Sequence, residues 1–142
     1  MMKQKLFPTV FATVDVVIER NGKLLLGRKP HQQKFRFIGG FSDPAFDNSY
    51  EDAAKRETKE ETGLIVESVK YLGSARIDDP RYRGTEDCII THLFLAIAWT
   101  GEPIAADDIA ELKWFDRSEI GEKDFVQEHH VLLDLLKNVK LV

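Results

Sequence analysis

Three glutamates, Glu57, Glu60 and Glu61, stand at positions i, i+3 and i+4 of the stretch AAKRETKEETGL. If this stretch is helical, an advance of about 100° per residue places the three carboxylates on one face. Carboxylates that are held together and shielded from water repel one another unless cations neutralise them. Oxygen ligands of this kind suit Mg²⁺ or Mn²⁺. The spacing alone leaves two interpretations open, a metal site and an ordinary charged helix.

Small apolar residues share the side of this helix that carries the acids. Helical projection places Ala53 and Ala54 around Glu57, whereas Lys59 and Thr62 fall on the opposite side. A solvated helix would turn its acids outward and leave the small apolar positions to the core. The pattern therefore favours acids on the packed face of the helix.

A helix between Ser49 and Gly63 would position these acids. Ser49 can cap its N-terminus with Asp52 as the acidic partner, and Gly63 suits the left-handed C-terminal position. We expect TVFATVDVVIE and LLLGRK to form a hairpin around RNGK, and DFVQEHHVLLDLLKNV to form a terminal amphipathic helix. Strands on both sides of the central helix predict the α/β (α+β) class, a sandwich with a mixed β-sheet packed between helices. The length of 142 residues predicts a single domain, 1–142.

Composition limits the class of protein. Hydrophobic residues make up 43% and charged residues 31% of the chain, the balance of a soluble globular protein. No run approaches the roughly 18 to 20 apolar residues that span a bilayer, and the N-terminus shows no export signal. We therefore expect a cytoplasmic protein without membrane contact. The net charge of -4 argues against stable binding of nucleic acid.

The segment GGFSDPAFDNSYEDAAKRETKEETGL, residues 39–64, resembles the signature of the Nudix hydrolases. The residues that match it in register are Arg56, Glu57, Glu60, Glu61, Gly63 and Leu64. The first half of the signature departs from the family, because Asn48 stands where a glutamate is usual and the spacer after Gly40 is two residues longer than usual. We expect these departures to weaken one metal site or to lengthen the neighbouring loop, while the matching glutamates stay in place.

The resemblance implies a Nudix-type sandwich and a metal-dependent pyrophosphohydrolase. Such an enzyme cleaves the diphosphate of a nucleoside diphosphate derivative by water attack on phosphorus, with Mg²⁺ or Mn²⁺ as cofactor. Carried over to this sequence, it implies that Glu57 and Glu61 bind the metal and that Glu60 is a further ligand or the base. Arg56 would orient a glutamate through a charge-assisted hydrogen bond. The carbonyl of Gly40 would approach the metal.

An acidic segment later in the chain offers further candidates for catalysis. Asp107, Asp108 and Glu111 lie where many relatives place a catalytic acid, and Glu111 is our candidate among them. An exposed residue before an edge strand is the alternative interpretation of Glu111.

The stretch RIDDPRYRGTEDCIITHLF resembles Nudix domains that act on or sense ADP-ribose. This resemblance makes ADP-ribose, or a similar compound, the expected substrate. Arg81 and Arg83 are candidates to hold its phosphate or ribose, and the alternative is a solvated loop in which they pair with neighbouring aspartates. Anion contacts are also open to two arginines near strand ends, Arg28 and Arg36.

Two other functions stay open. One is a Nudix-fold sensor that binds such a ligand without cleaving it, an alternative that Asn48 keeps open. The other is a nucleoside triphosphate pyrophosphohydrolase. The expected partner is a small-molecule nucleotide, and a homodimer is an open oligomeric state. His129 and His130 lack cysteines or acids at zinc-ligand spacing, so we expect them at the surface or in an interface.

Overall fold

A computed structural model describes residues 7–139; the expectation of no export signal concerns in part residues 1–6, which lie outside this range. The strands are β1 (Val10–Val17), β2 (Glu19–Arg20), β3 (Lys23–Arg28), β4 (Ile38–Phe41), β5 (Ile65–Ile77), β6 (Cys88–Thr100) and β7 (Glu111–Asp116). The helices are α1 (Tyr50–Thr62) and α2 (His130–Lys137). No helix within the described range is long and apolar enough to cross a membrane.

A mixed four-stranded sheet in the order β4-β1-β6-β5 forms the centre of the fold. Strand β1 runs parallel to β6 and antiparallel to β4. Alternate residues of β1 enter different core clusters, because successive side chains of a strand point to opposite faces. Val14 and Val16 pack with Ala53 of α1, whereas Val17 packs with Leu132 of α2. The predicted mixed sheet between two helices is thereby confirmed.

The predicted hairpin is correct at its turn and wrong in one of its strands. Asn21 and Gly22 have φ angles of 53° and 77°, as a type I′ hairpin turn requires. The strand that pairs with β3 across this turn is the two-residue β2, in a second sheet of order β2-β3-β7. β1 instead pairs with β4 and β6. The β-branched run TVFATVDVVIE therefore contributes to two different sheets, and the local sequence pattern does not show where one strand ends and the next begins.

Helix α1 has the predicted ends. The Ser49 hydroxyl accepts a hydrogen bond from the Asp52 amide at 3.1 Å, and Gly63 adopts φ 76° while its amide donates to the Lys59 carbonyl. The Asp52 carboxylate accepts from the Asn48 amide. One expectation on the helix was wrong: Thr62 is buried, with its hydroxyl donating to the Thr58 carbonyl at 2.6 Å.

The C-terminal helix is shorter than its pattern suggests. Two 3₁₀ turns, Glu122–Asp124 and Gln127–His129, precede α2, which begins only at His130. Within this shorter helix Leu132, Leu133 and Leu136 are buried. The apolar spacing therefore marks the packed face correctly but overestimates the length of the helix.

Candidate active site

A polar cleft of about 800 Å³ lies along the face of the sheet where β1 and β4 meet α1. Six of the predicted site residues line it: Arg36, Gly40, Arg56, Glu57, Glu61 and Arg81. The other four, Arg28, Glu60, Arg83 and Glu111, are not among its lining residues within the range 7–139. The fold thus brings Glu57 and Glu61 to the cleft together with only some of the predicted arginines.

Glu57 and Glu61 project from one face of α1 onto the glycines of β4. Glu61 accepts a hydrogen bond from the Gly39 amide at 3.0 Å. Both glutamates are buried. A Cβ atom at Gly40 would lie 2.7 Å from the Glu57 carboxylate, closer than side-chain carbons come to such atoms. Glycine is therefore required at position 40 if the Glu57 carboxylate is to lie against the strand.

The environment of these two glutamates penalises their charge. Burial, the largest cause, raises the pKa of Glu61 to about 8, and the neighbouring charges of Glu57 and Asp108 act in the same direction. Burial likewise raises the pKa of Glu57, against the opposing effect of Arg56. Buried carboxylates near one another gain from a cation, because it stabilises their ionised forms. A bound cation would therefore stabilise the ionised forms of both glutamates.

Arg56 links α1 to the loop that follows β4. Its guanidinium donates two hydrogen bonds to Asp47, at 2.7 and 2.8 Å. It also donates to the Glu57 carboxylate at 3.1 Å and to the Phe41 carbonyl at 3.1 Å. The predicted role of orienting a glutamate thus has a geometric basis in the contact with Glu57. Asp47, which the sequence analysis did not single out, holds Arg56 in place.

Glu60 does not converge with the other two glutamates. Its side chain is about half exposed and lies 3.2 Å from Arg56 at the edge of the site. An α-helix places residue i+3 about 60° to one side of residue i and residue i+4 about 40° to the other side, so only one of the two enters the buried angle between α1 and β4. Here that residue is Glu61.

The predicted residues outside the cleft pair with each other or with nearby acids. Arg28 and Glu111 face one another across β3 and β7, with a nitrogen-to-oxygen distance of 3.1 Å. Arg83 donates two hydrogen bonds to Asp78 at 2.8 and 2.9 Å. Each of these arginines has its charge balanced by a carboxylate. Arg28, Arg83 and Glu111 all lie away from the buried glutamates.

Two cationic side chains in the cleft have weaker partners. Arg36 lies 3.8 Å from the Glu128 carboxylate, and its buried Nε atom has no hydrogen-bond partner among the described residues. Lys29 lies 3.4 Å from Asp108. Arg81, by contrast, makes two hydrogen bonds to Asp79, at 2.9 and 3.1 Å. Arg36 is therefore the arginine of the cleft that gains most from an added anion.

The loop before β7 brings two more acids to the cleft. The amides of Ile104 and Ala106 donate to the carbonyls of Thr62 and Glu61, at 2.9 and 3.1 Å. These bonds satisfy carbonyls at the C-terminal end of α1 that lack partners within the helix. The loop is thus tied to the helix, and Asp107 and Asp108 line the cleft as a result.

A pair of buried polar side chains in the wall of the cleft was missed by the sequence analysis. Asp15 accepts a hydrogen bond from the Thr91 hydroxyl and lies 3.6 Å from the His129 ring. Burial raises the pKa of Asp15 to about 7 and lowers that of His129 to about 3. The expected surface position of His129 was wrong, because its Nδ1 accepts from the Phe37 amide inside the fold. The only signal for Asp15 was a charge inside an apolar strand.

The donor set suits a hard divalent cation. Within residues 7–139, no three acidic, histidine or cysteine side chains already converge as a complete ligand set. Mg²⁺ commonly keeps several waters and takes one or two protein carboxylates together with substrate phosphates. The buried pair Glu57 and Glu61, with raised pKa values, meets that requirement. The residues present therefore fit the metal that the signature implies.

Comparisons with known proteins show the family to which the chain is similar. A family model described as NUDIX domain matches residues 10–136. An ADP-ribose pyrophosphatase of Methanocaldococcus jannaschii is 32% identical over 90% of this chain and 75% of its own length. An oxidized purine nucleoside triphosphate hydrolase of Danio rerio is 30% identical over 74% of this chain and 65% of its own length.

A solved structure extends the similarity to the fold. It is a bifunctional NMN adenylyltransferase/ADP ribose pyrophosphatase of Francisella tularensis, in complex with AMP and a manganese ion. The similarity has a TM-score of 0.63 with 25% identity and covers 94% of this chain and 43% of that one.

Proposed function

The chain belongs to the Nudix family and is a hydrolase of that family, and we propose that it cleaves the diphosphate of ADP-ribose or a similar nucleoside diphosphate derivative with the help of Mg²⁺ or Mn²⁺. The observation that carries this proposal is the pair Glu57 and Glu61, buried side by side against Gly39 and Gly40 on the wall of a polar cleft.

In this proposal Glu57 and Glu61 hold the cation, and the Gly40 backbone leaves the space that they need. Glu60 stands at the rim as a further ligand or the base. Arg56 fixes the Glu57 carboxylate from one side and is itself fixed by Asp47. When bound, the divalent ion supplies Lewis-acid stabilisation of charge on the diphosphate and activates water. The chain's own residues supply positioning.

Arg36 supplies the anion contact in this proposal. Its guanidinium lines the cleft, its Nε atom lacks a partner within the described residues, and its nearest carboxylate lies 3.8 Å away. A phosphate oxygen in the cleft would accept charge-assisted hydrogen bonds from the outer nitrogens of this guanidinium. Since Arg28 and Arg83 are already paired outside the cleft, Arg36 is the strongest of the predicted arginines for this role.

ADP-ribose is favoured by the names of the relatives. The archaeal relative is called an ADP-ribose pyrophosphatase, and the Francisella tularensis structure contains an ADP ribose pyrophosphatase with AMP and manganese. A nucleoside triphosphate is the second candidate, because the Danio rerio relative is a triphosphate hydrolase. A sensor without turnover is disfavoured, since the relatives bear the names of hydrolases and Glu57 and Glu61 remain buried together.

A substrate panel tests the proposal. The purified protein is incubated with Mg²⁺ or Mn²⁺ and with ADP-ribose, NADH, diadenosine polyphosphates, nucleotide sugars or nucleoside triphosphates, and the products are separated by chromatography. Glu61→Gln is the blank, and Glu67→Gln is the matched control because Glu67 is an exposed acid outside the cleft. We expect AMP and ribose 5-phosphate from ADP-ribose. Preferred cleavage of triphosphates would support the second candidate, and no metal-dependent cleavage of any compound would contradict the proposal.

A further inference from the structure

A row of planar side chains leads from the surface to the mouth of the cleft. Phe11 stacks on Tyr82 with 5.1 Å between ring centroids. The guanidinium carbon of Arg81 lies 5.6 Å from the centre of the Tyr82 ring and 5.5 Å from that of Phe41. The row therefore runs Phe11, Tyr82, Arg81, Phe41, and its last two members line the cleft.

Phe41 is the member of this row that calls for explanation. The residue is 40% exposed although its side chain is large and apolar. Its carbonyl accepts a hydrogen bond from Arg56 at 3.1 Å, so the residue adjoins the buried glutamates. The cleft wall also includes the apolar side chains of Ile77 and Ile89, which lie on β5 and β6 across the sheet from Phe41. The cleft therefore offers apolar surface as well as the charged surface around Glu57.

Arg81 suits a neutral planar ligand better than a phosphate. Two hydrogen bonds to Asp79 balance its charge and fix the plane of its guanidinium. A guanidinium paired in this way can still pack its flat faces against aromatic rings, and that of Arg81 already lies near the rings of Tyr82 and Phe41. A phosphate would have to compete with Asp79 for the same donors. An aromatic ring needs neither a free hydrogen-bond donor nor a net charge on Arg81, so it is the kind of group that can pack against this guanidinium.

We propose that Phe41 and Arg81 form the nucleobase subsite of the cleft, with the base stacking on the exposed surface of the Phe41 ring. This inference rests on the proposed function, because it places the base of the nucleotide substrate next to the residues that cleave its diphosphate. It assigns Arg81 to the base, whereas the sequence analysis considered it for phosphate or ribose. Arg36, on the other part of the cleft, is left to the phosphates.

Binding of the two product halves separates the base from the phosphate contacts. Titration calorimetry in Mg²⁺ buffer measures the Kd of AMP and of ribose 5-phosphate for wild type and Phe41→Ala. Stacking of one base on an aromatic side chain corresponds to about a fivefold to 150-fold change in Kd. We expect Phe41→Ala to weaken AMP binding by at least about fivefold, the lower end of that range, and to leave the Kd of ribose 5-phosphate within about twofold, since the latter has no base to stack.

Three further variants make the result specific. Phe41→Trp keeps an aromatic surface and is expected to retain AMP binding, whereas Phe41→Leu keeps apolar bulk and is expected to lose it. Phe46→Ala is the matched control, because Phe46 is 73% exposed in the loop that follows Phe41 and is not among the residues lining the cleft. Thermal unfolding by circular dichroism checks that each variant folds, and Phe41→Leu replaces Phe41→Ala if the latter does not.

The outcomes distinguish this subsite from the proposed reaction. If AMP binds wild type and Phe41→Leu equally, or does not bind wild type at all, the subsite is contradicted even when ADP-ribose is cleaved. Equal losses of AMP and ribose 5-phosphate would also contradict it, because they would indicate a general disturbance of the cleft. If AMP binding depends on the aromatic ring but no diphosphate is cleaved, the subsite stands and the proposed hydrolysis fails.

Discussion

Asp47 and Arg56 form a two-bonded ion pair, with nitrogen-to-oxygen distances of 2.7 and 2.8 Å, that ties the loop after β4 to the helix carrying Glu57 and Glu61. The pair lowers the pKa of Asp47, chiefly through the hydrogen bonds from Arg56. Asp47 lies one residue before Asn48, the position at which the sequence departs from the family signature. The longer loop therefore supplies an acid to Arg56 from a shifted position.

Removing this acid should disturb both stability and turnover. For Asp47→Asn we expect a loss of about 1–2 kcal/mol in the free energy of unfolding, since the variant keeps a hydrogen-bonding side chain but loses a charged acceptor. The value of kcat should fall because Arg56 no longer fixes Glu57. Urea titration and steady-state kinetics measure the two effects. If the free energy of unfolding and kcat both keep their wild-type values, Arg56 does not need the Asp47 carboxylate.

Asn48→Glu is the complementary change, which would restore the residue usual in the family. Asn48 is exposed and its amide donates to Asp52, so an added carboxylate has no evident place beside Arg56, which Asp47 already occupies. We expect the Mg²⁺ concentration for half-maximal rate to change by less than about twofold, as is usual for an exposed position without special contacts. A marked decrease in that concentration would mean that position 48 reaches the metal.

Gly40→Ala tests the close approach of strand and glutamate. The added methyl group would lie 2.7 Å from the Glu57 carboxylate and must displace it. A misplacement of about 1 Å in an active site can cost about 10²-fold in rate, and we expect a loss of that order in kcat/KM. Gly121→Ala is the matched control, because its Cβ would meet nothing within 4 Å. Equal activity of the two variants would remove Gly40 from the site.

The stability of the metal-free protein should fall as the pH rises from about 6.5 to about 8. Glu61 has a folded pKa of about 8 against an ordinary value of 4.5, so over most of this range the folded state holds a proton that the unfolded state has already lost. Its contribution is therefore greatest below pH 4.5 and is lost as the pH passes through 8. Above pH 6.5 the opposing effect of His129 is over, since its pKa is lowered from 6.5 to about 3.

Chemical denaturation at a series of pH values, with EDTA, measures this slope. A single such group contributes up to about 1.4 kcal/mol per pH unit. Asp15, with a pKa of about 7, adds to the slope only in the lower part of the range. Glu61→Gln should flatten the curve between pH 7 and 8, and saturating Mg²⁺ should flatten it in wild type. A curve that keeps its slope in the variant would assign the effect to other groups.

The sequence carries the central features of the fold and site because they depend on local rules. The caps of α1 at Ser49 and Gly63 follow from short-range hydrogen bonding, and the placement of Glu57 and Glu61 follows from helical spacing. Other features depend on contacts between segments far apart in the chain. Asp15 and His129 meet only because β1 and the segment before α2 pack together, and Glu111 is placed opposite Arg28 by the register of β3 and β7.

Arg36 offers a test of substrate binding that does not involve the metal ligands. Because a hydrogen bond to a charged group is worth about 1.5–3 kcal/mol, we expect Arg36→Gln to raise the KM for ADP-ribose by at least about tenfold. Arg83→Gln is the control and should change KM by less than about twofold, because Arg83 is exposed and paired with Asp78. A larger increase in KM for Arg83→Gln than for Arg36→Gln would indicate that the phosphate contact lies in the loop after β5.

The most direct test of the metal-dependent reaction is the initial rate of AMP formation from ADP-ribose in wild type, Glu61→Gln and Glu67→Gln, measured over a Mg²⁺ titration. We expect saturable, metal-dependent cleavage in wild type and in the Glu67→Gln control. We expect a loss of about 10²–10³-fold in Glu61→Gln, with its folded state intact by circular dichroism. Equal rates in wild type and Glu61→Gln, or rates unaffected by EDTA, would contradict the metal-dependent reaction.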